Sequence, residues 1–361
     1  MADRGGGHLE PAVRFRSAGV RVDAVYTFHM SEPNPALVWD TLTAHQRTAA
    51  LRAAIELNVF GALSEGHRTA AAIAQRCGVP ERGIRILCDS LTISGLIAKS
   101  DGEYTHTPTS AVFLAPDSPA SMAPTVPFLL SAKILRASDL LTETIRRGHT
   151  ALEEPLAGEE VTEWVTFAES MHPMMAPAAE FMAEVASRKG TPAKVLDVAS
   201  SHGLFGMAFA RRSAATRVVA QDFPTVLDVT RAKVTAAHLA SQYEFLPGSA
   251  FTVDLGQGYD VILVTNLFHH FDMPTCETLM RRFHAALADG GMMLILEMVP
   301  NEDRISPPAP ASFAMMMLVN TPSGDAFTLT EYRQMLDAAG FAGIEKLDVP
   351  QSPQQLVVAV K

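Results

Sequence analysis

Two stretches of this sequence put polar, titratable side chains directly after apolar runs. Asp260-Val261-Ile262-Leu263-Val264 leads into Thr265-Asn266-Leu267-Phe268-His269-His270-Phe271-Asp272. Polar groups at the carboxyl end of a buried strand face the ligand crevice of an open α/β sheet. An imidazole there, with an ordinary pKa of about 6.5, can take the proton of a phenol whose own pKa is about 10. The plainer reading is a helix-start histidine hydrogen-bonded to backbone. Adjacent histidines point apart and make poor metal partners, so no metal is expected. Upstream, Val195-Leu196-Asp197-Val198 runs into Ala199-Ser200-Ser201-His202-Gly203, and the next apolar run ends in Gln221-Asp222. An acid there, about 20 residues beyond the first turn, can accept hydrogen bonds from both hydroxyls of a ribose.

The elements that must position these groups are legible from periodicity. Strand-like runs at 194–198, 217–220, 243–246, 261–264, 292–296, 343–347 and 356–360 alternate with amphipathic helices. That alternation predicts an α/β fold, a doubly wound, mostly parallel sheet with helices on both faces. Residues 118–188 read as helices punctuated by prolines. Between residues 35 and 116, Leu37, Leu42, Leu51, Ile55 and Phe60 recur at helical spacing, with Gly61 as the expected stop. Thr69 opens a second helix that Gly78 ends, and Pro80-Glu81 opens a third that ends at Gly95. Asp101-Gly102 marks the turn of a hairpin. Three helices and a hairpin form a winged-helix pattern. Its basic residues are matched by as many acids, and its candidate recognition helix carries Ile84, Ile86, Leu87 and Leu91, which suit packing. It reads as a dimerisation module.

Bulk properties narrow the partners. The chain has 361 residues, a net charge of -10, 48% hydrophobic and 19% charged residues, which fits about two globular domains. The negative balance argues against nucleic acid. Cys77, Cys88 and Cys276 lie far apart and form no CxxC pair, which fits thiols in a reducing cytoplasm. The first thirty residues hold no continuous apolar run, so no membrane partner is expected and residues 1–34 read as a flexible arm.

From about residue 35 to 361 the sequence resembles the class I S-adenosylmethionine-dependent methyltransferases. It is most similar to the two-domain small-molecule O-methyltransferases of plants and bacteria, which include the caffeic acid and acetylserotonin enzymes. The matching segments are residues 195–203, 219–224, 246–251, 259–272 and 294–300. The resemblance implies a winged-helix dimerisation domain at 35–117, connecting helices at 118–188 and a Rossmann-like catalytic domain at 189–361. It implies S-adenosylmethionine held by Asp197, Ala199, Ser201 and Gly203, by Asp222 and Phe223, by Gly248, Ser249, Ala250 and Phe251, and by Thr265, Asn266 and His270. The family's L-H-D-W motif, registered on Cys276, puts His269 in the base position and His270 where the acid usually sits. Glu297, at the end of residues 294–296, matches the family's glutamate, the group that fixes the imidazole's tautomer and raises its basicity. Phe167, Met171, His172, Met175, Phe313, Met316 and Asn320 fall in the segments that wall the acceptor pocket. The implied reaction is methylation of an aromatic, phenolic hydroxyl by a cytoplasmic homodimer.

The sequence departs from the pattern at two places. The glycine-rich D-V-G-G-G-x-G turn is here Asp-Val-Ala-Ser-Ser-His-Gly. A second family glutamate is replaced by Ala326, leaving either Asp325 as a substitute or His269 working with Glu297 alone. These departures keep open a second reading, a methyltransferase fold turned to hydroxylation, decarboxylation or a pericyclic step.

Overall fold

The computed structural model describes residues 33–156, 162–188 and 190–361. The chain divides into two compact units, residues 1–48 and 49–361. The described part of the first is the opening of α1 (Pro35–Glu56), started by Asn34, whose side chain accepts the Ala36 N–H at 2.9 Å. The flexible arm expected at 1–34 falls, but for its last two residues, outside the described residues.

The chain does not stop its first helix at Gly61. Asn58, at φ 57, breaks it, and α2 (Val59–Ser64) runs straight through the glycine. A Cβ at Gly61 would lie 2.3 Å from the Asn58 side chain, so glycine is there for packing. Then come α3 (Ala70–Cys77), capped by the Thr69 hydroxyl and ended by left-handed Gly78, and α4 (Glu81–Ile93). The hairpin of β1 (Ile97–Ser100) and β2 (Glu103–His106) turns on Asp101 and Gly102, both at positive φ, as a type I′ turn requires. A short α5 (Pro108–Phe113) follows. Phe60, Ile73, Ile84, Leu91 and Tyr104 fill the small core of this module. The connecting segment is helical: α6 (Val126–Leu129), α7 (Ala132–Asp139), α8 (Leu141–Arg147), α9 (Thr162–Ser170) and α10 (His172–Ser187).

The C-terminal half alternates strand and helix: β3 (Lys194–Val198), α11 (Leu204–Arg212), β4 (Arg217–Asp222), α12 (Pro224–Ala236), β5 (Tyr243–Pro247), β6 (Tyr259–Thr265), α13 (Met273–Ala286) and β7 (Leu287–Glu297). After them come α14 (Pro308–Asn320), α15 (Leu329–Ala338), β8 (Ala342–Asp348) and β9 (Gln355–Val360). All seven strand runs expected from the sequence form one sheet, ordered β5-β4-β3-β6-β7-β9-β8. Pairing is parallel except at β9, which is antiparallel to both neighbours.

Side-chain alternation builds the two layers. Val195, Val218, Ala220, Val261, Leu263, Leu294 and Leu296 pack on one face with α10, α11 and α12. Leu196, Val198, Val219, Ile262, Val264, Met293 and Ile295 pack on the other with α13 and α15. Register pairs Val198 with Gln221 and Val264, Asp222 with Pro247, and Thr265 with Leu296. The strands' carboxyl ends therefore share one edge. Strand order reverses between β3 and β6, the place where open α/β sheets form ligand crevices.

Candidate active site

Five strand ends meet at that edge. After β3 the chain turns through Ala199 at φ 50 and Ser201 at φ 52 to Gly203 at φ 71, which starts α11. A Cβ on Gly203 would meet the Thr230 methyl at 2.7 Å, so the turn needs glycine at this one place. Asp222 ends β4 with both carboxylate oxygens engaged: Oδ2 accepts the Ser201 N–H at 2.8 Å and Oδ1 the Phe223 N–H at 2.7 Å. Burial pushes its pKa up to about 6 despite these donors. Asp197, on β3, is wholly buried. Its Oδ2 accepts the Gly206 N–H at 3.0 Å, its Oδ1 has no partner, and burial raises it to about 8. The Ser201 hydroxyl is likewise buried without a partner.

Beyond β5, Gly248 sits at φ 134, and the Ser249 hydroxyl accepts the Phe251 N–H at 3.4 Å, leaving its own proton to donate. Ala250 is buried, its carbonyl accepting from Arg282 at 3.2 Å, and the Phe251 ring meets Phe271 edge to face at 5.1 Å.

After β6, Thr265 is buried and Asn266 takes φ 55. The Asn266 amide receives the Gln354 side chain and reaches the Met175 sulfur at 3.9 Å. Glu297, at the end of neighbouring β7, is buried and fully used. Its Oε1 accepts the N–H groups of Leu267 and Phe268 at 2.9 and 3.0 Å, and its Oε2 meets His269 Nδ1 at 2.5 Å. A carboxylate only accepts, so Nδ1 carries the proton of this hydrogen bond. The His269 ring stands edge to face with Phe313 at 4.9 Å and lies 4.3 Å from His270. His270 packs against Trp164 at 5.1 Å, and burial holds its pKa well below the usual value.

Asp325 is half exposed, its Oδ2 lies 3.7 Å from Arg304, and its Oδ1 accepts its neighbour's N–H. A Cβ on the neighbouring Gly324 would run into the His269 carbonyl oxygen, backbone against backbone.

The acceptor-side residues split. Phe167 is half buried among Phe128 and Trp164, Phe313 meets the His269 ring, and Met316 is half buried on the core. Asn320 is buried with Oδ1 unpartnered. Met171 and Met175 are core residues, and His172 is exposed. Sequence reasoning passed over Gln221, Thr230 and Gln354. The rule that singled out Asp222, a polar residue ending an apolar strand, applied equally to Gln221.

Comparisons with known proteins fit this geometry. A model of the O-methyltransferase domain matches residues 181–342, and one of the O-methyltransferase dimerisation domain matches residues 39–116. A solved structure from Nostoc punctiforme, assigned as an O-methyltransferase, superposes with a TM-score of 0.89 at 41% identity, over 91% of this chain and 100% of that one. The chain belongs to the O-methyltransferase family. The enzyme is 28% identical over 313 residues to a 3-hydroxy-5-methyl-1-naphthoate 3-O-methyltransferase of Streptomyces sahachiroi, covering 85% of this chain and 89% of that protein. It is 25% identical to the acetylserotonin O-methyltransferase of Mus musculus, covering 86% and 84%. Its methyl donor is that of the family, S-adenosylmethionine. Among the described residues no helix is long and apolar enough to cross a membrane.

Proposed function

We propose that this methyltransferase acts on a hydroxyl of an aromatic small molecule, with His269 as general base and Glu297 holding its tautomer. One observation carries the reading: Glu297 spends one oxygen on two backbone amides of the base loop and the other on His269 Nδ1. The imidazole is thereby fixed in place with Nε2 as its proton acceptor.

The crevice suits the donor molecule. Asp222 is positioned to receive a ribose diol, and the unpartnered Asp197 Oδ1 and Ser201 hydroxyl are buried polar atoms that cost about 1–3 kcal/mol each while unsatisfied. Phe223, Gly248, Ser249, Ala250 and Phe251 flank the adenine side, and Ala199, Gly203, Thr265, Asn266 and His270 the remainder. When bound, S-adenosylmethionine supplies an electrophilic methyl carbon on a sulfonium. The chain's own residues do the rest. Nε2 of His269 takes the hydroxyl proton as the oxygen attacks, and Glu297 stabilises the imidazolium so formed. Phe313, Trp164 and Phe167 offer ring faces and edges to a flat acceptor, and burial around His270 excludes water. The acceptors named for the two relatives, a hydroxynaphthoate and acetylserotonin, support this class. The family's dimerisation module supports a homodimer built on residues 35–117, with 118–188 and 189–361 carrying acceptor and donor.

His269→Ala tests the reading. Turnover should fall about 10²–10⁴-fold while calorimetric affinity for S-adenosylhomocysteine stays at the wild-type value. Undiminished turnover removes the base assignment. Product formation without stoichiometric S-adenosylhomocysteine removes methyl transfer itself.

A further inference from the structure

The cofactor turn holds a contradiction that its surroundings resolve. Ala199 and Ser201 both sit in the left-handed region, at φ 50 and 52, where a Cβ crowds the backbone. Residues with side chains keep such angles only where neighbours over-determine them. Here three consecutive amides are taken by one dipeptide of β4. The Ala199 N–H goes to the Gln221 side-chain oxygen at 3.3 Å, the Ser200 N–H to the Gln221 main-chain oxygen at 3.0 Å, and the Ser201 N–H to Asp222 at 2.8 Å. Thr230 closes the far side by donating to the Ser201 carbonyl.

Gln221 also faces the second loop. Its Nε2 donates to the Gly248 carbonyl at 2.6 Å, and the Gly248 N–H returns a bond to the Asp222 carbonyl at 3.0 Å. The amide is buried, with 2% of the residue exposed. A neutral amide accepts at one end and donates at the other, as this place requires; an ionised carboxylate cannot donate and a hydrocarbon does neither.

We propose that Gln221 is a positioning residue for the cofactor. Its amide ties the 199–203 turn to the 248–251 loop and holds in shape a turn that lacks the glycines which would adopt these angles freely. The proposal rests on the reading that this crevice takes S-adenosylmethionine. It assigns Gln221 no contact with the cofactor and places its effect in the two loops.

Gln221→Met keeps the volume and removes both hydrogen bonds. Calorimetry with S-adenosylhomocysteine should show affinity about ten-fold weaker. Adding Ala199→Gly to that variant should restore most of the loss, because glycine needs no clamp to hold a left-handed angle. A merely structural role would leave the loss equal in both backgrounds. Wild-type affinity in Gln221→Met, or no recovery in the double variant, overturns the proposal. Should Gln221→Met not fold, Gln221→Leu serves: it too leaves the Ala199 N–H and the Gly248 carbonyl without the side-chain amide. Its affinity should fall likewise, and wild-type affinity there also overturns the clamp. If the wild-type enzyme fails to bind S-adenosylhomocysteine, the proposed function falls. The clamp is then judged by melting temperature alone, which Gln221→Met should lower and Ala199→Gly should return; an unrestored melting temperature overturns it.

Discussion

At the scale of single residues, the chemistry rests on which atoms carry protons. In the proposed mechanism Glu297 sets the His269 tautomer because it can only accept. Glu297→Gln keeps the shape but offers an amide N–H₂ to one of its partners. With the oxygen kept on the Leu267 and Phe268 amides, the N–H₂ faces Nδ1 and forces the imidazole proton onto Nε2, the atom that must accept. We expect turnover to fall about 10²–10⁴-fold with the melting temperature little changed; a variant with wild-type rate excludes Glu297 as the holder. Asp197 and Asp222 make a second prediction. Their folded pKa values, about 8 and about 6, lie above the ordinary 3.8. The folded chain thus keeps protons that the unfolded chain has released. Stability is greatest at low pH as far as these two groups go. It declines from about pH 4 upward, levelling off near 6 for Asp222 and near 8 for Asp197. Thermal melts of the ligand-free enzyme should show that decline, and Asp197→Asn should flatten its upper part. An unchanged slope would mean that Asp197 is not the group responsible.

At the scale of elements, close approaches decide what each turn tolerates. Gly324 presses on the His269 carbonyl, backbone against backbone, so an added methyl has no flexible neighbour to push aside. Gly324→Ala should displace the base loop and lower kcat by roughly ten-fold or more, leaving cofactor affinity near wild type. A kcat at the wild-type level would show that the loop is not braced by this turn. The same scale shows why some of the site could be read from the sequence and some could not. The seven strands are apolar runs whose period survives in a single sequence, and Asp222, Thr265 and Glu297 follow as residues that end them. His269 was preferred to His270 only through the family motif registered on Cys276, whose sulfur lies 3.3 Å from the Phe268 carbonyl oxygen. By contrast, Gln354 reaches Asn266 across 88 residues, and Arg304 draws Asp325 from a loop with no periodicity. Asn58 rather than Gly61 broke the first helix because an asparagine tolerates left-handed angles. Such facts depend on which loops meet, and spacing along the chain does not record it.

At the scale of the whole molecule, the dimerisation module leaves Ile86 and Ile93 of α4 and Val112 and Phe113 of α5 exposed, Ile93 at 88%. A second copy of this chain is the partner that the family match supports. Light scattering at micromolar concentration should give the mass of a dimer, and Ile93→Glu should weaken it. A monomer mass for the wild-type protein would sink the homodimer. The sheet carries a further consequence. β9, last of its strands in chain order, is inserted between β7 and β8. While the polypeptide leaves the ribosome, the strand bearing Glu297 keeps one interior edge bare until residues 355–360 have emerged. A nascent chain arrested before that point presents a sticky ribbon to chaperones and aggregation partners, so the catalytic half matures late, after nearly all of its residues have been made.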